Sequence, residues 1–106
     1  MSRRVVVTGM GALTPIGNTV EEFWEATLHG RSGTGLLTRF DTTLYSSKIA
    51  AEVKGFNPEP YISAKEVTRT DLFVQYAVAA AVMCVADSGL DMETVDRNRT
   101  GVIVGS

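Results

Sequence analysis

The sequence has few of the residues that mark a disulfide framework, a metal site or a nucleic-acid surface. Its 106 residues include one cysteine and one histidine, so no internal disulfide can form and no zinc ligand set can be assembled from these two residue types. The formal net charge is -2, whereas a surface for phosphates needs a clustered positive excess. We therefore predict no metal and no nucleic-acid partner, and the single thiol is consistent with a reducing compartment.

Long apolar runs are also absent. The run Val5–Val7 is too short for the core of a signal peptide. The longest apolar stretch, residues 72–86, is rich in alanine, contains Gln75 and is shorter than the roughly 20 residues that cross a bilayer. We predict a cytoplasmic protein without a membrane span, and we find no internal repeat and no low-complexity tract.

Two segments are typical of buried strands. Residues 4–8 form a β-branched run ended by Gly9, and residues 100–106 repeat this pattern. Continuous rather than alternating apolar residues favour parallel strands that are covered on both faces. Residues 48–54 alternate in part, which predicts a further short strand, and residues 31–47 are predicted to be irregular.

Three helices are predicted from capping signals. Thr19 and Glu22 have capping-box spacing, and the helix they begin should end before Gly30. Its predicted apolar face consists of Val20, Phe23, Trp24, Thr27 and Leu28. Ser63 and Glu66 form a second capping box, and a long helix should run from about residue 70 to residue 88 with Gly89 as its stop. That helix is apolar nearly all round and needs neighbours on several sides.

Strands alternating with helices indicate an α/β fold. Two strands that need cover on both faces and a helix that is apolar all round cannot all be buried by 106 residues in this order. We therefore expect residues 1–106 to be the amino-terminal portion of a larger domain, cut within its sheet. The alternative is a small self-sufficient βαβ-type domain that acts in binding or dimerisation.

The glycines after the first predicted strand do not match a nucleotide site. A dinucleotide fingerprint needs a small third residue where this chain has Thr14, and Pro15 separates the glycines from the next helix. A phosphate-loop motif is also absent. We predict a tight turn in which Gly9 and Gly11 allow close packing of the backbone, and we predict no cofactor.

Cys84 and His29 are candidates for chemistry by residue type alone. Cys84 stands late in an apolar helix, whereas a reactive thiolate is favoured by a helix N-terminus or a cationic neighbour, so we interpret it as a small buried hydrophobic residue. His29 stands at the end of a helix, where it suits the helix dipole. Lys65 and Arg69 are four residues apart and could share one helix face, with Arg39 and Lys48 as further basic residues nearby.

An ordered series of motifs along the whole chain resembles the stand-alone β-ketoacyl-acyl-carrier-protein synthases, which are thiolase-like condensing enzymes. The series comprises residues 3–19, Phe23-Trp24, 30–33, 39–41, 53–57, Lys65-Glu66, Asp71, 73–77, 87–90 and 99–106.

The resemblance implies the N-terminal part of a thiolase-like layered α-β-α-β-α fold, truncated within its first half, in a homodimer. It also implies decarboxylative condensation in fatty-acid elongation. An acyl chain passes from acyl carrier protein to an enzyme cysteine, malonyl-carrier-protein loses CO₂, and the resulting carbanion attacks the acyl thioester. The implied cysteine, at a helix N-terminus, and two histidines have no counterpart in residues 1–106, so we assign no catalytic residue here.

The resemblance implies one partner site within this chain. Family members use basic residues near the segment that corresponds to residues 65–69 to bind the acidic acyl carrier protein. The resemblance therefore assigns carrier-protein binding to Lys65 and Arg69. Thr68 and Thr70 stand where relatives often have a basic residue and a methionine. Two alternatives remain, the ketosynthase of an aromatic polyketide system and a chain-length-factor-type subunit that lacks the nucleophile. The stretch 54–57 favours the fatty-acid enzyme.

Overall fold

The structure is a computed structural model that describes residues 2–106. Two compact units form, one from residues 12–57 and the other from residues 2–11 together with 58–106. The chain is a small mixed α/β protein, as the sequence predicts. Its elements in chain order are helix α1 (Val20–Leu28), strands β1 (Thr34–Leu36) and β2 (Ile49–Ala51), helices α2 (Ala64–Val67) and α3 (Leu72–Ser88), and a 3₁₀ helix at Arg97–Arg99.

Helix α1 begins as its capping signal predicts. The hydroxyl of Thr19 accepts a hydrogen bond from the backbone N–H of Glu22 at 3.1 Å. The Glu22 carboxylate reaches back one residue further than a standard capping box requires, and it accepts from the backbone N–H of Asn18 at 2.7 Å. One N–H group of the first helical turn, that of Glu22, and the N–H of Asn18 just before the helix are thereby satisfied.

The end of α1 is a Schellman motif. The N–H of Gly30 bonds to the carbonyl of Thr27 at 3.1 Å, and the N–H of Arg31 bonds to the carbonyl of Ala26 at 2.9 Å. Gly30 has φ +64°, a left-handed conformation that glycine adopts at low cost. Gly30 is therefore the residue after the last turn, as predicted.

Strands β1 and β2 form an antiparallel sheet with Leu36 opposite Ile49. Strand β2 confirms the short strand predicted within residues 48–54. The prediction that residues 31–47 are irregular was wrong at β1, because three residues containing a glycine carry no alternating pattern and form a strand only through bonds to their partner.

Helix α2 begins where the sequence predicts, and α3 both begins and ends where it predicts. Ser63 accepts from the N–H of Glu66 at 3.4 Å and donates its hydroxyl to the Glu66 carboxylate at 2.8 Å. Helix α3 has Asp71 as its N-cap residue, and Gly89 follows its end with φ +68°.

Residues 9–11 pack directly against α3. The backbone N–H of Met10 donates to the Asp87 carboxylate at 2.9 Å. A Cβ atom at Gly9 would lie 2.6 Å from the backbone nitrogen of Ser88, closer than real contacts allow. The predicted close packing of the backbone at Gly9 and Gly11 is confirmed, but these residues do not form the predicted turn, because the nearest turn lies at residues 15–16.

The two strands predicted at residues 4–8 and 100–106 do not form among the described residues. Val5 is 87% exposed and Ile103 is 99% exposed. A strand requires hydrogen bonds to a neighbouring strand, and the only ladder of residues 2–106 joins β1 to β2. These segments therefore retain a strand-like sequence without strand pairing.

Few side chains are buried in residues 2–106: Ala26, Ile62, Gln75 and Ala79. The predicted apolar face of α1 is largely uncovered, with Trp24 59% exposed, and Val78, Val82 and Val85 of α3 are exposed as well. Helix α3, which the sequence predicts to need neighbours on several sides, is thus packed against other residues on one side only. None of the helices in the described part of the chain has the length and apolar character that crossing a membrane requires.

Candidate functional site

The predicted site residues lie at the corner between α2 and α3. Lys65 is in the first turn of α2, and Arg69 follows the end of that helix, where its backbone N–H bonds to the carbonyl of Glu66 at 3.0 Å. Both side chains are exposed. Neither makes an ion pair or a side-chain hydrogen bond within residues 2–106.

The acidic residue between these two cations does not neutralise them. The carboxylate of Glu66 accepts the hydroxyl of Ser63 at the N-terminus of α2, where a negative charge also suits the helix dipole. The corner therefore presents two solvated positive charges that have no partner within the described chain.

The corner itself is held by a buried amide. Gln75 is 6% exposed, and its Nε2 group donates to the carbonyl of Val67 at 3.3 Å and to the carbonyl of Thr70 at 3.1 Å. One side chain of α3 thus bonds to the backbone on both sides of Arg69. In the sequence Gln75 interrupts an apolar run, and a single amide in such a run is a signal of a buried hydrogen bond.

The other two basic candidates, in the unit of residues 12–57, are engaged in internal contacts. Arg39 forms an ion pair with Glu52 at 3.9 Å and donates to the carbonyl of Val53 at 3.2 Å. The Lys48 ammonium donates to three backbone carbonyls, those of Thr42, Thr43 and Tyr45. These two cations hold loops in place, so the free positive charge among the four candidates is that of Lys65 and Arg69.

Cys84 and His29 have structural contacts. The Cys84 thiol donates to the carbonyl of Gly9 at 3.3 Å, at a position well inside α3 rather than at its N-terminus. Nδ1 of His29 lies 2.8 Å from the carbonyl of Glu25, so the ring contacts the last turn of α1. No three His, Cys, Asp or Glu side chains among residues 2–106 converge in a group that could hold a metal ion.

A second surface feature lies along α3. Side chains spaced at three and four residues line an open, apolar groove, namely Val78, Ala81, Val82, Val85 and Ala86. The groove offers apolar contact area and no hydrogen-bonding groups, so it has the character of a packing surface rather than of a site for chemistry.

Comparison with known proteins gives one consistent match. The family described as "Beta-ketoacyl synthase, N-terminal domain" matches residues 2–106. The chain is 50% identical over 104 residues to 3-oxoacyl-[acyl-carrier-protein] synthase 2 of Vibrio cholerae serotype O1, covering 98% of this chain and 25% of that protein. It is 49% identical over 105 residues to the synthase 2 of Staphylococcus aureus strain COL, covering 99% of this chain and 25% of that protein.

A solved structure shows the same relationship. The ishigamide ketosynthase/chain length factor superposes with a TM-score of 0.73 at 40% sequence identity, over 86% of this chain and 23% of that one. The chain therefore spans about a quarter of the length of the proteins that it matches.

Proposed function

This chain belongs to the beta-ketoacyl synthase family, and we propose that residues 1–106 form the amino-terminal portion of a 3-oxoacyl-[acyl-carrier-protein] synthase. The proposed whole enzyme has the thiolase-like layered α-β-α-β-α fold and acts as a homodimer in the cytoplasm. Support comes from the two synthase 2 relatives, which align with this chain over a quarter of their length.

The proposed reaction is the decarboxylative condensation of fatty-acid elongation. The acyl group is transferred to an enzyme cysteine. Loss of CO₂ from malonyl-carrier-protein then generates a carbanion, which attacks the thioester carbonyl and releases the cysteine thiolate. In this proposal the cysteine and the two assisting histidines lie outside residues 1–106, so these residues are inactive alone. The placement of Cys84 inside α3, with its thiol on the Gly9 carbonyl, supports its exclusion as the nucleophile.

Within this chain, we propose that Lys65 and Arg69 bind the acyl carrier protein. The observation that carries this assignment is that both cations are exposed and unpaired, while the intervening Glu66 is held by Ser63. Unpaired surface cations attract an acidic partner at long range, and they accelerate encounter in a way that salt weakens.

The test is a charge reversal in the full-length synthase. We expect Lys65→Glu with Arg69→Glu to raise KM for carrier-bound substrates about tenfold at low salt, because two attractive contacts become repulsive. The kcat with a small acyl thioester that lacks the carrier should not change. Raising the salt concentration should narrow the difference between wild type and variant.

The matched control reverses Arg97 and Arg99, two exposed arginines of the 3₁₀ helix that also have no ion-pair partner in the described part of the chain. This pair changes the net charge by the same amount at another place in the chain. An equal rise in KM for the control pair, or unchanged KM for the Lys65 and Arg69 pair, would contradict the assignment.

A second candidate function is the ketosynthase or the chain-length-factor-type subunit of a polyketide system. The match to the ishigamide ketosynthase/chain length factor favours it. An assay of condensation activity in the full-length protein distinguishes the fatty-acid enzyme from the polyketide proteins. Condensation of a saturated acyl-carrier-protein substrate supports the fatty-acid enzyme. A chain-length-factor-type subunit would lack the nucleophilic cysteine and would show no activity alone.

A further inference from the structure

Gln75 is the one buried polar side chain among residues 2–106. Burial of an amide is unfavourable unless its hydrogen bonds are made. Its neighbours along α3 are apolar, so an apolar side chain of similar size would be tolerated by packing alone. The amide therefore contributes through its two hydrogen bonds to the backbone carbonyls of Val67 and Thr70.

Both bonds go to the backbone that carries the cations. Val67 is the last residue of α2, and its carbonyl is one of those that lack a partner within the helix. Thr70 precedes the N-cap residue of α3. By binding both carbonyls at 3.3 and 3.1 Å, Gln75 joins α2 to α3 on either side of Arg69.

Helix α2 depends on such anchors. Four residues are too few for a helix to persist in water by its own hydrogen bonds. Its N-terminus is held by the Ser63 and Glu66 capping pair. Its C-terminal end is held locally by the hydroxyls of Thr68 and Thr70, which donate to the carbonyls of Lys65 and Glu66, and Gln75 adds the bonds that tie this end to α3. Loss of the Gln75 bonds would remove the link between residues 67–70 and α3 and would loosen the spacing between Lys65 and Arg69.

We infer that Gln75 is a positioning residue for carrier-protein docking, which acts by fixing the relative placement of Lys65 and Arg69 through the Val67 and Thr70 carbonyls. The inference rests on the proposed function of those two cations. Pre-organised charges bind a partner without the cost of ordering them first, so the amide should strengthen docking without touching the substrate.

The test is a double-mutant cycle in the full-length synthase. Gln75→Met keeps a similar length and removes the donor. We expect it to raise KM for carrier-bound substrates about threefold or more, with kcat on a small acyl thioester unchanged. In a background of Lys65→Ala with Arg69→Ala, the same substitution should leave KM unchanged, because no cations remain to be positioned.

Gln75→Leu provides a second variant, because its side chain has no hydrogen-bond donor and adds no charge at the buried position, and it should raise KM as Gln75→Met does. Ala79→Gly is the stability control, since Ala79 is fully buried in α3 and has no group that bonds to the corner. We expect this control to lower the melting temperature without changing KM, because glycine weakens a helix interior.

The outcomes distinguish the docking role of Lys65 and Arg69 from the positioning role of Gln75. If Lys65→Ala with Arg69→Ala leaves KM unchanged, the docking function itself fails. If that pair raises KM but Gln75→Met does not, only the positioning role fails. An equal effect of Gln75→Met in both backgrounds overturns the inference, and so does insolubility of both Gln75 variants, because either result assigns Gln75 to the fold rather than to docking.

Discussion

Gly11 and Ala80 lie so close that no side chain fits between them. A Cβ atom on Gly11 would collide with the backbone carbonyl of Ala80 and would lie 2.9 Å from Cβ of Met83. Residues 9–11 and the middle of α3 are therefore in backbone contact, which the lack of a side chain at residue 11 makes possible. The small side chain of Ala80 suits the same approach.

We predict that Gly11→Ala destabilises the protein. The added methyl group forces residues 9–11 away from α3, and overpacking of this kind costs about 1–3 kcal/mol. Differential scanning fluorimetry should show a lower melting temperature. The matched control is Gly35→Ala in β1, where a Cβ atom meets nothing within 4 Å, and it should leave the melting temperature nearly unchanged. Equal melting temperatures for Gly11→Ala and wild type would show that the close approach does not exist.

Glu52 connects the end of β2 to the segment after β1. Its carboxylate accepts from the backbone N–H of Thr38 at 3.1 Å, from the Thr38 hydroxyl at 2.9 Å and from the N–H of Arg39 at 3.3 Å. These hydrogen bonds hold the pKa of Glu52 below its usual value of 4.5, and the two bonds from Thr38 have the largest effect. The ionised form is therefore the form that stabilises this contact.

We predict that the wild-type protein loses stability as the pH is lowered, and that the Glu52→Gln variant loses less. Because the pKa of Glu52 is lowered in the folded protein, its contribution is complete above the unfolded value of 4.5 and is lost as the pH falls through the folded value. The melting temperature of the wild type should thus fall more between pH 6.5 and pH 3.5 than that of Glu52→Gln. Glu21→Gln, at an exposed position of α1, should follow the wild type. Parallel pH curves for wild type and Glu52→Gln would contradict this role.

We predict that the 106-residue chain expressed alone aggregates or remains partly unfolded, and that it binds the dye ANS. Its apolar segments at residues 5–7 and 102–104 are exposed and unpaired, and such segments associate with one another. Val5→Lys with Val102→Lys should increase the soluble fraction. Ser2→Lys with Ser106→Lys adds the same charges without removing apolar groups, and it should increase the soluble fraction by a smaller amount. A soluble monomer with a sharp, cooperative thermal transition would be the opposite result.

The helices were predictable because their boundaries depend on local chemistry. Thr19 and Ser63 bond to amides three residues away, and Gly30 and Gly89 adopt a left-handed conformation. The backbone conformation of these positions depends on residues close in sequence. The strands were less predictable. Strand β1 was missed and the strands at residues 4–8 and 100–106 did not form, because a strand depends on its partner and the partner is remote in sequence.

The sequence by itself determined the family and the ends of α1 and α3, since these depend on residue types and short spacings that can be read in order. The family resemblance proposed Lys65 and Arg69 as docking cations. Only the tertiary structure decided which cations are free. Arg39, Lys48, Lys65 and Arg69 carry the same charge in the sequence, but Glu52 pairs with Arg39 and three loop carbonyls hold Lys48. The folded chain also gave Gln75 its role, because its two bonds span five and eight residues. A hydrogen bond forms only between groups that the fold brings within about 3 Å of each other.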